Sequence, residues 1–282
     1  MSTYSGHTAR IGEQAGGVLY SQWSEFCRLR LVVLDRRDTD SIHDLRVASR
    51  RLRATLGLFF PFISGKALKT LAKDVQKITR ALGHVRNIDE AILYFDAQSA
   101  SLPLLSAELR RARDTESKAV VRSLKAFECR ETDRVMREAV AGLTGGAERA
   151  GIDQRLAAYL SETSLRRYRQ LADLLAPATS PENVEGRHRL RIAIKKWRYL
   201  LEVAGQLCGQ DYGATLAVLK EYQTLLGSLN DMVEFAALSA RLMLPAQESH
   251  EIRVALERDA AVYLTRFIEL AASQPLQYTV CL

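Results

Sequence analysis

Cysteine is scarce and unpatterned: Cys27, Cys129, Cys208 and Cys281 are scattered along the chain, with no C-x-x-C pair. That spacing argues against a disulfide frame or a zinc site and fits reduced thiols. Aromatic residues make up only 7%, few for the stacking platforms on which single-strand nucleic-acid binders lay their bases. No apolar run approaches the roughly 20 residues that span a bilayer. The N-terminal stretch MSTYSGHTARIGEQAGG holds no apolar signal-peptide core. A soluble cytoplasmic protein is therefore the expectation. Alternating apolar patterns long enough for a sheet are missing too, so the expected fold class is all-α. Neither a G-x-x-x-x-G-K-[ST] loop nor a G-x-S-x-G elbow is present.

What the chain does have is an ordinary hydrophobic content of 47% together with a net charge of +7. The first is enough to bury a core and rules out a disordered basic tail. The second favours a polyanionic partner: nucleic acid, an anionic surface or a phosphate polymer.

The positive charge is organised in two segments, HDLRVASRRLRATL at His43–Leu56 and RHRLRIAIKKWRYLLE at Arg187–Glu202. They align without a gap, His43 over His188, Arg46 over Arg191, Arg50 over Lys195, Arg51 over Lys196 and Arg53 over Arg198. Both read as helix, because straight-chain residues dominate and neither segment contains Pro or Gly. At roughly 3.6 residues per turn, His43, Arg46, Arg50 and Arg53 share one stripe, and Leu45, Ala48, Leu52, Leu56 and Phe59 another. The second segment repeats the split, with Leu190, Ala193, Trp197 and Leu201 on its apolar side. A basic helix face is usually only a solvated face. Here the carboxylates that commonly relieve such a face at i,i+4 are missing, and the same His-x-x-basic spacing recurs far along the chain.

The rest of the chain suggests a flexible N-terminus (1–17) and two four-to-five-helix bundles, 18–142 and 152–275, forming one domain. A Gly-rich linker between Gly142 and Gly151 separates them. Each half repeats helix, His-helix, helix, Leu-Gly turn, helix. The turns fall at Leu82-Gly83, where they break a helix begun near Ala67, and at Leu226-Gly227. Pro103 opens one long charged helix reaching about Val140, and Pro177–Pro181 forms a loop. Duplication implies a pseudo-two-fold arrangement in which equivalent basic faces look toward a central cavity.

Arginine offers a planar fork to phosphate oxygens and lysine a compact cation. Several held side by side favour a ligand with closely spaced negative charges, and inorganic polyphosphate meets that description. Nucleic acid ranks below it, since specific readers of duplex DNA present a helix outward into a groove. The pair His43-Asp44 could belong to a metal-dependent phosphohydrolase, but Arg189 replaces the aspartate in the second segment and no ligand set completes a metal site. A phosphoryl-transfer or hydrolytic enzyme using His43 or His188, and a nucleic-acid binder, remain as alternatives; no cofactor or metal is expected.

The segments HDLRVASRRLR and HRLRIAIKKWRYLLE, with LGHVRNID at Leu82–Asp89 and LGSLND at Leu226–Asp231, resemble the CHAD family, the conserved histidine α-helical domain. The resemblance runs from about Gly17 to Ala272. It implies two pseudo-symmetric helical bundles around a basic cavity that binds inorganic polyphosphate without catalysis. Members occur alone or fused to triphosphatase domains of the CYTH type, and some associate with polyphosphate granules. The present chain looks like a stand-alone member, for which granule proteins are possible partners. By motif position the binding residues are His43, Arg46, Arg50, Arg51, Arg53, His188, Arg191, Lys195, Lys196 and Arg198. Lys73, Lys77 and Lys220 join them as groove-lining candidates, with Arg28, Arg30, Arg166 and Arg167 on preceding helices as secondary ones. Asn87 stands where the family often has an acid.

Overall fold

A computed structural model describes residues 11–63, 65–98, 102–144 and 149–278, and all regular structure in it is helical. In chain order the helices are α1 (Ile11–Arg36), α2 (Thr39–Phe59), α3 (Lys66–Asp96), α4 (Pro103–Lys125), α5 (Cys129–Thr144), α6 (Arg149–Ala178), α7 (Val184–Cys208), α8 (Gly213–Ser239) and α9 (Ala246–Ser273). None is long and apolar enough to cross a membrane among the described residues.

The two basic segments lie on α2 and α7. Each starts at a side-chain cap: Asp38 accepts from the Ser41 amide at 2.7 Å, and Asn183 accepts from the Gly186 amide at 2.8 Å. Arg187 then fastens the α6–α7 turn, donating to the carbonyls of Ser180 and Pro181 at 2.6 and 2.9 Å. The apolar stripes face inward as their spacing predicts. Leu45, Leu52, Leu56 and Phe59 on α2, and Leu190, Trp197 and Leu201 on α7, are fully buried. Trp197 donates to the Ser164 hydroxyl at 3.2 Å, so the indole belongs to the core and is no stacking surface.

α2 packs directly against α7, and α1 packs against α2, α5, α6 and α7. One apolar cluster therefore runs from Ile11 to Leu276 through both sequence halves. A second joins Ile88, Phe95 and Leu105 of the first half to Phe235, Ile252 and Leu256 of the second. The halves share their cores.

Several sequence expectations are corrected. The chain is helical from Ile11, with Ile11, Ala15 and Gly16 buried, so residues 11–17 are not a loose tail; residues 1–10 lie outside the described ones. Gly142 and Gly151 lie within α5 and α6, leaving of the expected linker only residues 145–148, which fall outside the described set. α3 and α8 run straight through Gly83 and Gly227. The apolar spacing continues past both, in Leu82, Val85, Ile88 and Ala91 and in Leu226, Leu229, Met232 and Phe235, and that burial outweighs the roughly 1 kcal/mol that a mid-helix glycine costs. The helix opened by Pro103 instead ends at Lys125. There Phe127 turns inward, its ring edge-on to Phe26 at 5.6 Å and to Trp23 at 6.1 Å. Pro177 is not in a loop but in the last turn of α6.

Candidate polyanion site

Packing α2 against α7 brings their basic faces together. Arg46 and Arg50 of α2 and Arg191 and Lys195 of α7 lie within electrostatic reach of one another, and none of the four makes an ion pair among the described residues. Their crowding shows in their proton affinities. Lys195 is pushed down to about 6, by burial first and then by Arg191, Arg50 and Arg46. Arg46 falls to about 10, by burial and then Arg50, Arg86 and Arg191. Arg191 is lowered by burial, and its Nε is buried without a hydrogen-bond partner. Each shift has the same physical content. A charged group has lost water without gaining a matched counter-ion, so its charged form is destabilised.

The facing acid is Asp231 of α8. Its own pKa is raised, because burial outweighs the pull of Arg191, Lys195, Arg46 and Arg86. The cluster extends at its edges. Arg53 is lowered by burial and then by Arg80 of α3 and Arg50. Arg198 sits 3.7 Å from Glu202 at i,i+4, so the second basic stripe, contrary to expectation, does carry one relieving carboxylate; the Nε of Arg198 is buried and without a hydrogen-bond partner among the described residues. The Arg50 and Arg198 guanidiniums lie over the Tyr199 ring at 5.7 and 5.2 Å from its centroid.

The two histidines stand at the start of the stripes in different company. His43 is half-buried and held below its ordinary value by burial and then by Arg86. His188 is exposed, and its Nδ1 lies 3.1 Å from Asn230 Oδ1. Aligned on Leu82 and Leu226, Arg86 and Asn230 occupy the same motif position, as do Asn87 and Asp231. One half thus sets a second cation beside its histidine where the other sets a neutral amide.

Several of the other candidates are engaged elsewhere, and others are simply exposed. Lys77 pairs with Asp74 at 2.8 Å and lines a separate cavity between α3, α4 and α5. Lys196 is exposed on α7, its carbonyl taken at 2.7 Å by Arg167, whose guanidinium therefore ties α6 to α7. Arg30 donates to the Leu124 carbonyl at 2.7 Å and so joins α1 to α4. Arg28 is held by Glu25 at 2.7 Å on its own helix, and Arg166 donates weakly to the Thr163 hydroxyl at 3.5 Å. Lys73 and Lys220 lie exposed on α3 and α8. Arg51 is marginal, 3.8 Å from Glu202.

Arg86, Tyr199 and Asp231 escaped the sequence reading as site residues. Arg86 sits in LGHVRNID, beside the turn expected at Leu82-Gly83, and Asp231 in LGSLND, just past the turn expected at Leu226-Gly227. Following the i+3 spacing Leu82, Val85, Ile88 would have kept Arg86 in helical phase. Gly83 lies beside Arg46: a Cβ there would meet Arg46 Nε at 3.9 Å, an ordinary van der Waals contact. Asp89, the acid of the first motif, is buried and bonded to Arg113 at 2.9 Å, where it links α3 to α4.

The fold is all-helical, with two neighbouring helices whose basic side chains crowd together without ion-pair partners among the described residues. The chain belongs to the CHAD domain family, whose model matches residues 18–240. That family is associated with polyphosphate-related proteins. Two solved structures are similar. The CHAD domain from the plant Ricinus communis superposes with a TM-score of 0.65 at 22% identity, covering 95% of this chain and 88% of its own. PptA from Streptomyces chartreusis gives 0.62 at 15% identity, covering 93% and 99%. At such identities the likeness is one of fold. No curated protein sequence matches significantly.

Proposed function

We propose that the protein binds inorganic polyphosphate, without chemical turnover, along the seam between α2 and α7. The observation that carries this reading is the group Arg46, Arg50, Arg191 and Lys195, three arginines and a lysine amine held largely neutral by burial and by them, with no ion-pair partner among the described residues. Like charges held together raise the free energy of the unliganded protein, and a polyanion relieves that repulsion at every cation it touches. A polymer does so better than single phosphates, because once one unit is bound the next is held at high effective concentration. Burial strengthens each contact relative to an exposed one, and guanidinium forks match phosphate oxygens. Two carboxylates of α8 act on Arg191, Asp231 and more weakly Glu234, and no group of three or more His, Cys, Asp or Glu able to hold a metal occurs among the described residues. Phosphoryl-transfer sites instead gather carboxylates to hold Mg²⁺, which favours holding over hydrolysis. Attachment to polyphosphate granules would follow from the same affinity.

Calorimetric titration with long-chain polyphosphate tests the reading. Expected is tight binding that weakens as salt rises, as for other multi-phosphate ligands. Arg50→Glu with Lys195→Glu should remove it while the far-ultraviolet helix signal persists. No binding heat at low salt would defeat the proposal, and release of phosphate from the polymer would defeat its non-catalytic part.

A further inference from the structure

α1 and α5 lie antiparallel in a register that close contacts mark turn by turn. Gly12 packs against the Leu143 carbonyl, and a Cβ on Gly16 would stand 3.1 Å from Val140 Cγ1. Further on, Arg137 donates to the Tyr20 hydroxyl at 2.6 Å, and the Trp23 indole donates to Asp133 at 3.0 Å. Each turn forward along α1 is thus matched by one turn back along α5. The next step of that register sets Cys27 opposite Cys129.

Both cysteines pack on the main apolar cluster, keep part of their surface in solvent and are reduced. Their thiols are chemically unequal. Contact with Cys129, and then burial, raises Cys27 above its ordinary value, while contact with Cys27 lowers Cys129. Cys129 is also the first residue of α5, where the free amides of a helix start favour a negative sulfur, and the Arg30 guanidinium favours it further. Cys208, on α7, is raised by burial.

We propose that Cys27 and Cys129 form a redox site, a dithiol that hydroperoxides oxidise to a disulfide linking α1 to α5. With hydrogen peroxide, the Cys129 thiolate attacks one oxygen. An S–O bond forms, the O–O bond breaks, and the departing hydroxide takes up the proton that Cys129 gave to solvent. The Cys27 sulfur then attacks the sulfenic sulfur of Cys129. An S–S bond forms, the S–O bond breaks, and the second hydroxide leaves as water with the Cys27 proton. Two electrons and two protons pass from the thiols to the peroxide, which becomes two waters. The bridge closes a loop of about 100 residues, and the constraint a disulfide places on the unfolded chain grows with loop length. α1 also packs against α2 and α7, so the oxidised pair braces the scaffold beneath the cationic cluster. None of this depends on the polyphosphate reading.

The reduced full-length protein, treated with hydrogen peroxide, is expected to lose two of its four thiols and to yield a linked Cys27–Cys129 peptide by mass spectrometry. It should melt roughly 5 °C higher until dithiothreitol reverses the shift. Cys208→Ser should leave the link and the shift intact. Cys27→Ser should abolish both and leave Cys129 as a sulfenic acid that dimedone traps; the wild-type result decides the proposal even if that variant fails to fold. Loss of thiols without the Cys27–Cys129 peptide, a link through Cys208 or Cys281 in its place, or no rise in melting temperature on oxidation would overturn the redox site.

Discussion

Polyphosphate binding near pH 8 should draw about one proton from solution per bound chain, and Lys195 is the group expected to receive it. Burial and the facing charges of Arg191, Arg50 and Arg46 hold this amine at about 6 against an ordinary 10.5. At pH 8 it is therefore neutral in about 99% of free molecules. A bound phosphate chain reverses the sign of its surroundings. If the pKa returns to about 9, the ammonium is filled to roughly 0.9, and affinity should fall about eightfold from pH 7 to 8 and about fivefold from pH 8 to 9. His43, held below 6.5 by burial and Arg86, adds uptake chiefly at lower pH. Without ligand the same depression acts on folding. The unfolded chain carries a proton that the folded one refuses between about pH 6 and 10.5, so this group makes stability rise with pH across that window. The assay is titration with long-chain polyphosphate at pH 8 in phosphate-free buffers of different ionisation enthalpy, where the slope of heat against buffer enthalpy counts protons. Lys195→Met should flatten the slope. Intact binding with zero slope in the wild type, or an unchanged slope in Lys195→Met, would refute the reasoning.

Asp231→Asn removes the acid that faces the cluster, so it should tighten polyphosphate binding several-fold by calorimetry and lower the melting temperature of the free protein. Trp197→Ala empties a fully buried site and breaks the bond to Ser164, for an expected loss of about 3–5 kcal/mol in urea unfolding. Asp38→Ala deletes the α2 cap and should cost about 1 kcal/mol by the same measurement. Gly12→Ala would drive a Cβ into the Leu143 carbonyl, so its melting temperature should fall although the exchange suits a helix elsewhere.

Which helix faces are buried was readable from spacing, because a residue's azimuth on a helix follows from its position alone. Leu45, Leu52 and Leu56, and Leu190, Trp197 and Leu201, are buried where the period puts them. Helix ends were less readable. Gly83 and Gly227 carry the local mark of a turn, yet a distant surface holds those segments helical, and no local rule weighs that surface. Among the basic residues, Arg46 and Lys77 look alike in sequence. One ends buried beside other cations, and the other ends paired with Asp74 on an exposed face.

The sequence alone settled that the chain is helical, that it is basic, and that two of its helices carry the same split between apolar and cationic faces. These are properties of one helix at a time, set by composition and period. Only the tertiary structure decided that α2 lies against α7, that Arg86 and Asp231 join the cations, and that Arg30 and Arg167 serve as fasteners between helices. Charges act through space, and the distance between two side chains far apart in the chain is fixed only once the apolar faces have packed.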